Sequence, residues 1–487
     1  MIYKLDLQTC IRLCMHMAPA TATTAPSPET PPTRLLDLPT ELLVRVVSCC
    51  DPADIAHVAA VSVLFHASLA EEGIRLRLQE AGYALPAQPE GEGCAVRWLC
   101  VYALLRESNP PARLAAGGQH SVFIDGEGRL SSCGTAAEGE EDDDEDDETA
   151  GEELPGLLGH GEGVLQLKTP TRLPSLLGGE LAIGVAASRY FSLALSACGS
   201  VWSWGCGWQG RLGHGDQQIQ WQPKKIEAFA GQRVVAVSAG GHSLALTADG
   251  AVWSWGSGAW GRLGHGDQQH QLLPKKIEAF AGQRIVAVSA GSDHSLALTA
   301  DGALWSWGYG AFGRLGHGNE QRQLLPKKIE AFAGQRVVAA SAGYAHSLAL
   351  TADGAVWSWG YGTLGRLGHG DNHDQLEPKE VEALAGRRAV AVSAGMSHSL
   401  AITADGAVWS WGDGDDGRLG HGDEQRQLLP KKVEAFAGQR VAVSAGEDHI
   451  LALTADGAVF TWGAGGLGRL GHGEDLSNQL LPKKIES

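Results

Sequence analysis

Hydrophobic and polar positions alternate in short runs along most of the chain. In the stretch 274–325, His294–Thr299 and Ala303–Trp307 both alternate with the period of two of a half-buried strand. Ala300-Asp301-Gly302 between them is a hairpin turn that needs a positive φ at the glycine. Lys275–Phe280 and Arg284–Ser289 add two short apolar-rich segments around an Ala-Gly turn. Four such segments without a ten-residue helical pattern predict an all-β unit.

The unit is copied. The string Gly-Arg-Leu-Gly-His-Gly places its histidine at 214, 265, 317, 369, 421 and 472, and a degenerate copy places His160. Ser-Ala-Gly-x-x-His-Ser-Leu centres on His294, His346 and His398. Variants sit at His120, His242 and His449, and Phe191 takes the histidine's place in the second copy. Trp-Gly ends at Gly205, Gly256, Gly308, Gly360, Gly412 and Gly463, with Cys133-Gly134 as the seventh instance. Three markers that each count to seven, at a spacing of 51 to 54 residues, predict seven four-stranded sheets arranged radially, a seven-bladed β-propeller. The first copy starts at Arg113 without a Pro-Lys-Lys-Ile-Glu segment, and the chain finishes with one at Pro482–Glu486. We therefore expect the last strand to complete the first blade and close the ring.

These motifs resemble regulator-of-chromosome-condensation repeats, over 113–487. The resemblance implies that each unit folds as one blade of a seven-bladed propeller. Its glycine-rich wording is closer to the propellers of large ubiquitin-ligase proteins than to the founding chromatin protein.

Several repeated features invite chemistry. Gly256-Ser-Gly258-Ala-Trp-Gly261 and its equivalents spell G-x-G-x-x-G, but Arg-Leu-Gly-His-Gly follows, which cannot hold the helix that a dinucleotide site needs. Histidines that recur once per blade are held apart by the ring and cannot converge on a metal, so they read as buried groups bonded to neighbouring turns. The Trp-x-Trp pairs 202/204, 253/255, 305/307, 357/359 and 409/411 put both indoles on one side of a strand, as packing between blades requires. No arrangement of nucleophile and base occurs at one unique place. No catalytic residue, cofactor or metal site is therefore expected, and the protein is not expected to be an enzyme.

The start of the chain is different. Residues 1–33, rich in Ala, Thr and Pro after Met17, read as a disordered leader, with a transit peptide as the alternative. Residues 34–80 hold a single glycine, Gly73, and Leu42, Leu43, Val46 and Val47 form a one-sided apolar stripe behind Leu38-Pro39-Thr40-Glu41. Asp51-Pro52 breaks the chain, and Asp54 caps a second helix carrying Ile55 and Val58. A small all-α, three-helix domain is expected here, with apolar surface left for a partner. Residues 81–112 form a linker with a helix over Cys94–Glu107. The segment 34–80 resembles an F-box: Leu-Pro-x-Glu-Leu-Leu, an Asp-containing break, then Val61-Ser62-x-x-Phe65. The resemblance implies that Leu38, Pro39, Leu42, Leu43, Val46 and Ile55 contact the Skp-type adaptor of a cullin ubiquitin ligase. A cap that only packs on the propeller is the alternative. Val63-Leu64 and Leu76–Leu78 depart from the family's basic residue and terminal Leu-Trp.

Composition adds three points. The 66 glycines fit the density of turns, and the nine cysteines show no paired spacing, which indicates a reducing compartment. Of the net charge of −18, twelve units belong to Glu138–Glu153, an acidic insertion (138–156) expected to be a disordered loop of the first blade. No run is apolar enough for a membrane span, so a cytoplasmic or nuclear protein is expected.

Near-identical blades leave recognition to the places where they differ. The loop before each Gly-Arg-Leu varies most, and Trp208, Trp260 and Phe312 are expected to form an aromatic arc on one rim. The Lys-Lys pairs at 224/225, 275/276, 327/328, 431/432 and 483/484 are each followed by Glu two residues on and read as solvated strand ends rather than a nucleic-acid surface. The sequence reading is a monomeric interaction propeller that captures an unidentified target protein for a Skp-cullin ligase. The alternatives are a guanine-nucleotide exchange factor, an ultraviolet-receptor-like protein, or a plain scaffold. Blades three to seven have no room for the exchange factor's β-hairpin wedge, and the receptor's Gly-Trp-Arg-His-Thr triplet is missing.

Overall fold

The computed structural model describes residues 112–136, 156–174, 177–436, 439 and 441–486. The segment 34–80 for which a three-helix domain is expected, its residues Leu38 to Ile55, the expected linker helix and nearly all of the acidic insertion lie outside them. Among the described residues no helix is long and apolar enough to cross a membrane.

Seven four-stranded antiparallel sheets follow one another, each with its strands in chain order. Blade 4 shows the pattern: Ile285–Ala290, His294–Thr299, Leu304–Gly308 and Gln323–Lys328. The second and third strands pair tightly, His294 opposite Gly308 and Leu298 opposite Leu304. The hairpin turn between them is the expected one, with Gly302 at φ 91° and the Thr299 hydroxyl donating to the Asp301 carboxylate and the Ala303 carbonyl. The other blades span 114–172, 182–225, 234–276, 337–380, 389–433 and 441–484 and are numbered 1 to 7 in chain order.

The expected closure is corrected. The last strand, Gln479–Lys484, pairs with Val459–Gly463 of its own blade, Phe460 opposite Lys484 and Thr461 opposite Lys483. The first blade already owns an outer strand, Gln166–Arg172, paired with Leu130–Thr135. The Pro-Lys-Lys segment thus ends a blade rather than beginning one, and the following Glu278–Phe280 turn is the passage to the next sheet. No sheet is shared between the two ends of the ring. Closure is made by hydrogen bonds between separate sheets instead: His449 Nε2 meets Ser121 Oγ at 2.8 Å, the Ala116 amide donates to Ser444 Oγ at 3.2 Å, Arg469 Nη1 donates to the Gly118 carbonyl at 3.1 Å, and the Glu447 amide donates to the Gly117 carbonyl at 3.3 Å.

The core lies between sheets. Leu244, Val252, Ile277 and Phe280 of blade 3 pack with Ile285, Ala297 and Trp307 of blade 4, and the same arrangement recurs around the ring. The second indole of each Trp-x-Trp pair is fully buried, the first only in part. Phe280 presents its edge to both Trp305 and Trp307, at 5.8 and 5.7 Å. At 150–250 Å² of apolar surface each, a buried tryptophan contributes about 4–6 kcal/mol of gross transfer energy. The packing role read from the period-two spacing is what the structure has.

Candidate functional site

One end of the ring gathers the loops that differ from blade to blade. In an antiparallel four-stranded blade, the loop after the first strand and the loop after the third emerge at the same end. They touch across each boundary: Arg262 of blade 3 donates to the Ser292 carbonyl of blade 4 at 3.0 Å and pairs with Asp293 at 2.8 Å.

The third-strand loop has one shape in blades 2 to 7. After Trp-Gly comes a residue, then a glycine with no room for a side chain; a Cβ on Gly310 would lie 2.3 Å from the Gln321 carbonyl. A tight turn follows, and its central residue takes a positive φ although it is never glycine: Gln209, Trp260, Phe312, Leu364, Asp416 and Leu467, at 55° to 66°. Bulky side chains rarely adopt that conformation, which costs about 1–2 kcal/mol per residue. The turn that the glycine pattern implied is therefore present, and no helix follows it; the fingerprint-like glycines serve the turn alone.

Trp260 and Phe312 occupy this strained position. Trp260 stacks on Tyr309 of the next blade, centroids 4.6 Å apart, and Arg322 lies 5.0 Å from the Trp260 ring. Phe312 lies 4.2 Å from Tyr361, again across a blade boundary. Arg314 and Arg366 sit over Tyr309 and Tyr361 at 4.9 and 4.8 Å. Trp260 is 37% exposed and Tyr344, on the neighbouring first-strand loop, 44%. Trp208 occupies the preceding turn position, equivalent to Ala259 and Ala311, so the structure brings Trp260 and Phe312 together as equivalents and leaves Trp208 one step out of register. The tyrosines were missed in the sequence; their signal is the residue after Trp-Gly, Tyr309 and Tyr361 where other blades carry Cys206, Ser257, Asp413 and Ala464.

The other side of the same end is acidic. Arg418 bridges Asp413 at 3.3 Å, Asp416 at 3.3 Å and Asp448 at 2.9 Å. Arg366, in contrast, rests on Tyr361 and on the carbonyls of Thr363 and Met396, and burial pushes its pKa down to about 10. The face thus grades from stacked aromatic and guanidinium groups on blades 3 to 5 to carboxylates on blades 6 and 7.

The repeated histidines form two structural sets. His317 Nε2 lies 3.0 Å from Ser306 Oγ, whose hydroxyl donates to the Leu315 carbonyl at 2.7 Å, so the histidine is the donor. The same logic holds across blades: His294 Nε2 lies 2.8 Å from Ser347 Oγ, which donates to the Arg314 carbonyl at 2.9 Å. Nδ1 of His294 is then the bare nitrogen, buried without a hydrogen-bond partner. Desolvation pushes His294 down to about 3, and burial with Lys327 pushes His317 down to about 4. Groups so placed hold turns and blades together; they are not poised as bases. Among the described residues no cluster of His, Cys, Asp and Glu has the spacing of a metal site. The lysine pairs lie on outermost strands, and several meet carboxylates, Lys225 with Glu180 at 3.2 Å and Lys483 with Asp475 at 2.5 Å.

Comparison with known proteins agrees with this architecture. Residues 149–487 match the RCC1-like domain family. The chain is 36% identical to the ultraviolet-B receptor UVR8 of Arabidopsis thaliana over 78% of its own length and 83% of the receptor's. It is 38% identical to the human E3 ubiquitin-protein ligase HERC2 over 70% of this chain but 7% of the ligase, so the likeness reaches only a small part of that protein. Among solved structures, Prp20p of Saccharomyces cerevisiae, described with binding to Gsp1p and histones, superposes with a TM-score of 0.61. It is 28% identical over 68% of this chain and 84% of Prp20p.

Proposed function

Because this chain belongs to the RCC1-like domain family, we propose that its propeller is a protein-capturing platform and that residues 34–80 hand the captured protein to a Skp-type adaptor of a cullin ubiquitin ligase. The observation that carries the second half is the run Leu38-Pro39-Thr40-Glu41-Leu42-Leu43, followed by an Asp-containing break and Val61-Ser62-x-x-Phe65, ahead of an interaction propeller. Leu38, Pro39, Leu42, Leu43, Val46 and Ile55 supply the apolar contacts to the adaptor. The capturing surface is the loop face, with Trp260 and Phe312 as anchors and Trp208 beside them. Its support is that this face carries the loops that differ between blades, and that Trp260, 37% exposed, and Phe312 are held by stacking on Tyr309 and Tyr361 across blade boundaries. In this role the protein works in the cytoplasm or nucleus and has no catalytic centre of its own.

The test is retention of a Skp-type adaptor by the intact chain. Co-purification that is lost on Leu42→Asp with Leu43→Asp supports the reading, and failure of the unaltered chain to hold the adaptor removes it. Trp260→Gly with Phe312→Gly leaves adaptor binding intact and releases the target.

A second reading, an ultraviolet-B receptor, is favoured by the identity to UVR8 over most of that protein's length. Against it, the pairs before the strand histidines are Ser292-Asp293, Tyr344-Ala345 and Met396-Ser397. A dimer that dissociates under ultraviolet light would establish it.

A further inference from the structure

Blades 3 to 7 each place one arginine of a Gly-Arg-Leu segment on the loop face: Arg262, Arg314, Arg366, Arg418 and Arg469. Each donates through Nε to the carbonyl three residues back, at 2.9 to 3.2 Å. All five are buried or nearly so. A guanidinium held that far from water needs a counter-charge.

Four of them have one, and its source follows a rule. The residue before the strand histidine supplies a carboxylate, closely to the arginine of the preceding blade and less closely to that of its own. Asp293 of blade 4 lies 2.8 Å from Arg262 Nη2 and 3.6 Å from Arg314 Nη1. Asp448 of blade 7 lies 2.9 Å from Arg418 Nη1 and 3.6 Å from Arg469 Nη1. Arg366 would have to draw on blades 5 and 6, where the position holds Ala345 and Ser397. Among the described residues no carboxylate reaches ion-pair distance from Arg366. Asp413 and Asp374 act on it only through their fields: Asp413 is held by Arg418 at 3.3 Å, and Asp374 accepts the Gly362 amide at 2.8 Å. The charge of Arg366 rests instead on the carbonyls of Thr363 and Met396 and on the Tyr361 ring. Its Nη2, the atom that in Arg262 carries the carboxylate, makes no hydrogen bond among the described residues and is not one of the nitrogens sealed from solvent.

We infer that Arg366 is a carboxylate socket on the capturing face: an aspartate or glutamate side chain of the captured protein takes the place that Asp293 fills beside Arg262. This rests on the reading of the loop face as a protein-capturing surface and gives that surface the chemistry of its partner. The setting suits such a group. Arg366 lies over the Tyr361 ring at 4.8 Å, and Phe312 lies 4.2 Å from the same ring, so a cation and an apolar anchor stand side by side. One guanidinium in the field of two aspartates matches a singly charged carboxylate, whereas a phosphate would bring a second negative charge with nothing to balance it. The bond that forms is charge-assisted, the stronger kind.

The test uses the intact chain and needs no identified target. The probe is 3-phenylpropionate, observed by saturation-transfer NMR beside its uncharged amide. The acid should bind roughly tenfold or more tightly than the amide, as one hydrogen bond to a charged group provides. That preference should vanish in Arg366→Gln and also in Ser397→Asp, which fills the socket from within by placing a carboxylate where blades 4 and 7 have theirs. In melting temperature, Ser397→Asp should be more favourable by a few degrees with Arg366 present than in Arg366→Gln, so the two positions are coupled even if either variant is less stable. Equal affinity for acid and amide, or a preference that survives both substitutions, would overturn the inference. So would a dimer that Arg366→Gln dissolves, which would put a second copy of the chain in the socket. A chain that loses its captured protein on Trp260→Gly with Phe312→Gly but shows no acid preference refutes the socket alone. One that shows the preference but captures nothing refutes the capturing reading alone.

Discussion

His449 Nε2 and Ser121 Oγ lie 2.8 Å apart although 328 residues separate them, and the serine hydroxyl passes the link on to the Arg469 carbonyl at 2.8 Å. The pair closes the ring without a shared strand, so its loss leaves the His449 ring nitrogen unanswered and the Arg469 carbonyl with only the weak Cys133 thiol donor at 3.5 Å. Ser121→Ala should cost about 1–3 kcal/mol of stability, read as a lower denaturant midpoint at unchanged slope. An unchanged midpoint would show that this pair contributes nothing to closure.

Acid should weaken the propeller well before its carboxylates are titrated. Burial holds His120, His294 and His398 at about 3, against 6.5 for a free histidine. The folded ring keeps them neutral while the unfolded chain takes up protons below 6.5, so their stabilisation is complete above that pH and is lost as pH falls from 6.5 towards 3. Each contributes a slope of about 1.4 kcal/mol per pH unit within that window. Denaturation midpoints measured from pH 7.5 to 4.5 should be flat at first and then drop; a flat profile throughout would contradict the neutral, buried assignment.

His398 is the exception in the histidine ring. Ile450 occupies the place of its serine partner, and both ring nitrogens are buried without hydrogen bonds. Ile450→Ala should cost about 2–5 kcal/mol through the cavity it leaves. Ile450→Ser restores the missing hydroxyl and should be about 1 kcal/mol less damaging than alanine, the reverse of ordinary core preference. Serine destabilising more than alanine would refute the pairing logic.

Two glycines separate crowding from backbone strain. Gly308 has φ 108° and its added Cβ would lie 2.5 Å from the Asp293 carbonyl, whereas Gly334 has φ 84° and open space around it. Gly334→Ala should cost only the left-handed conformation, about 1–2 kcal/mol. Gly308→Ala should cost distinctly more, because Asp293 must shift away from both Arg262 and Arg314. Melting temperatures of the two variants decide the order.

Most of the fold was legible because the same short strings recur at a steady period. Glycine turns and alternating strands gave four strands per unit, and the tryptophan pairs gave the surface between units. What escaped was the phase. A tandem array reads alike from any starting strand, so only its ends distinguish one frame from another. The first blade's outer strand hides its membership: of Lys168-Thr169-Pro170-Thr171-Arg172 only the proline matches Leu-Leu-Pro-Lys-Lys, and the acidic insertion separates it from the strand it joins. The aromatic rim was half legible for a similar reason. Trp208 and Trp260 look alike in their loops, but one residue decides which of them takes the strained turn position. Tyr309 and Tyr361 became visible only as the surfaces on which Trp260 and Phe312 rest.

Every sheet is one unbroken run of chain, and this has a genetic consequence. In-frame recombination between two of the near-identical stretches would add or delete a whole sector of the circle and leave every surviving sheet intact. An architecture in which the two ends contribute to one sheet lacks that freedom, since any gain or loss must keep its split sheet matched. Here the number of sectors is limited only by the curvature that the surviving boundaries tolerate.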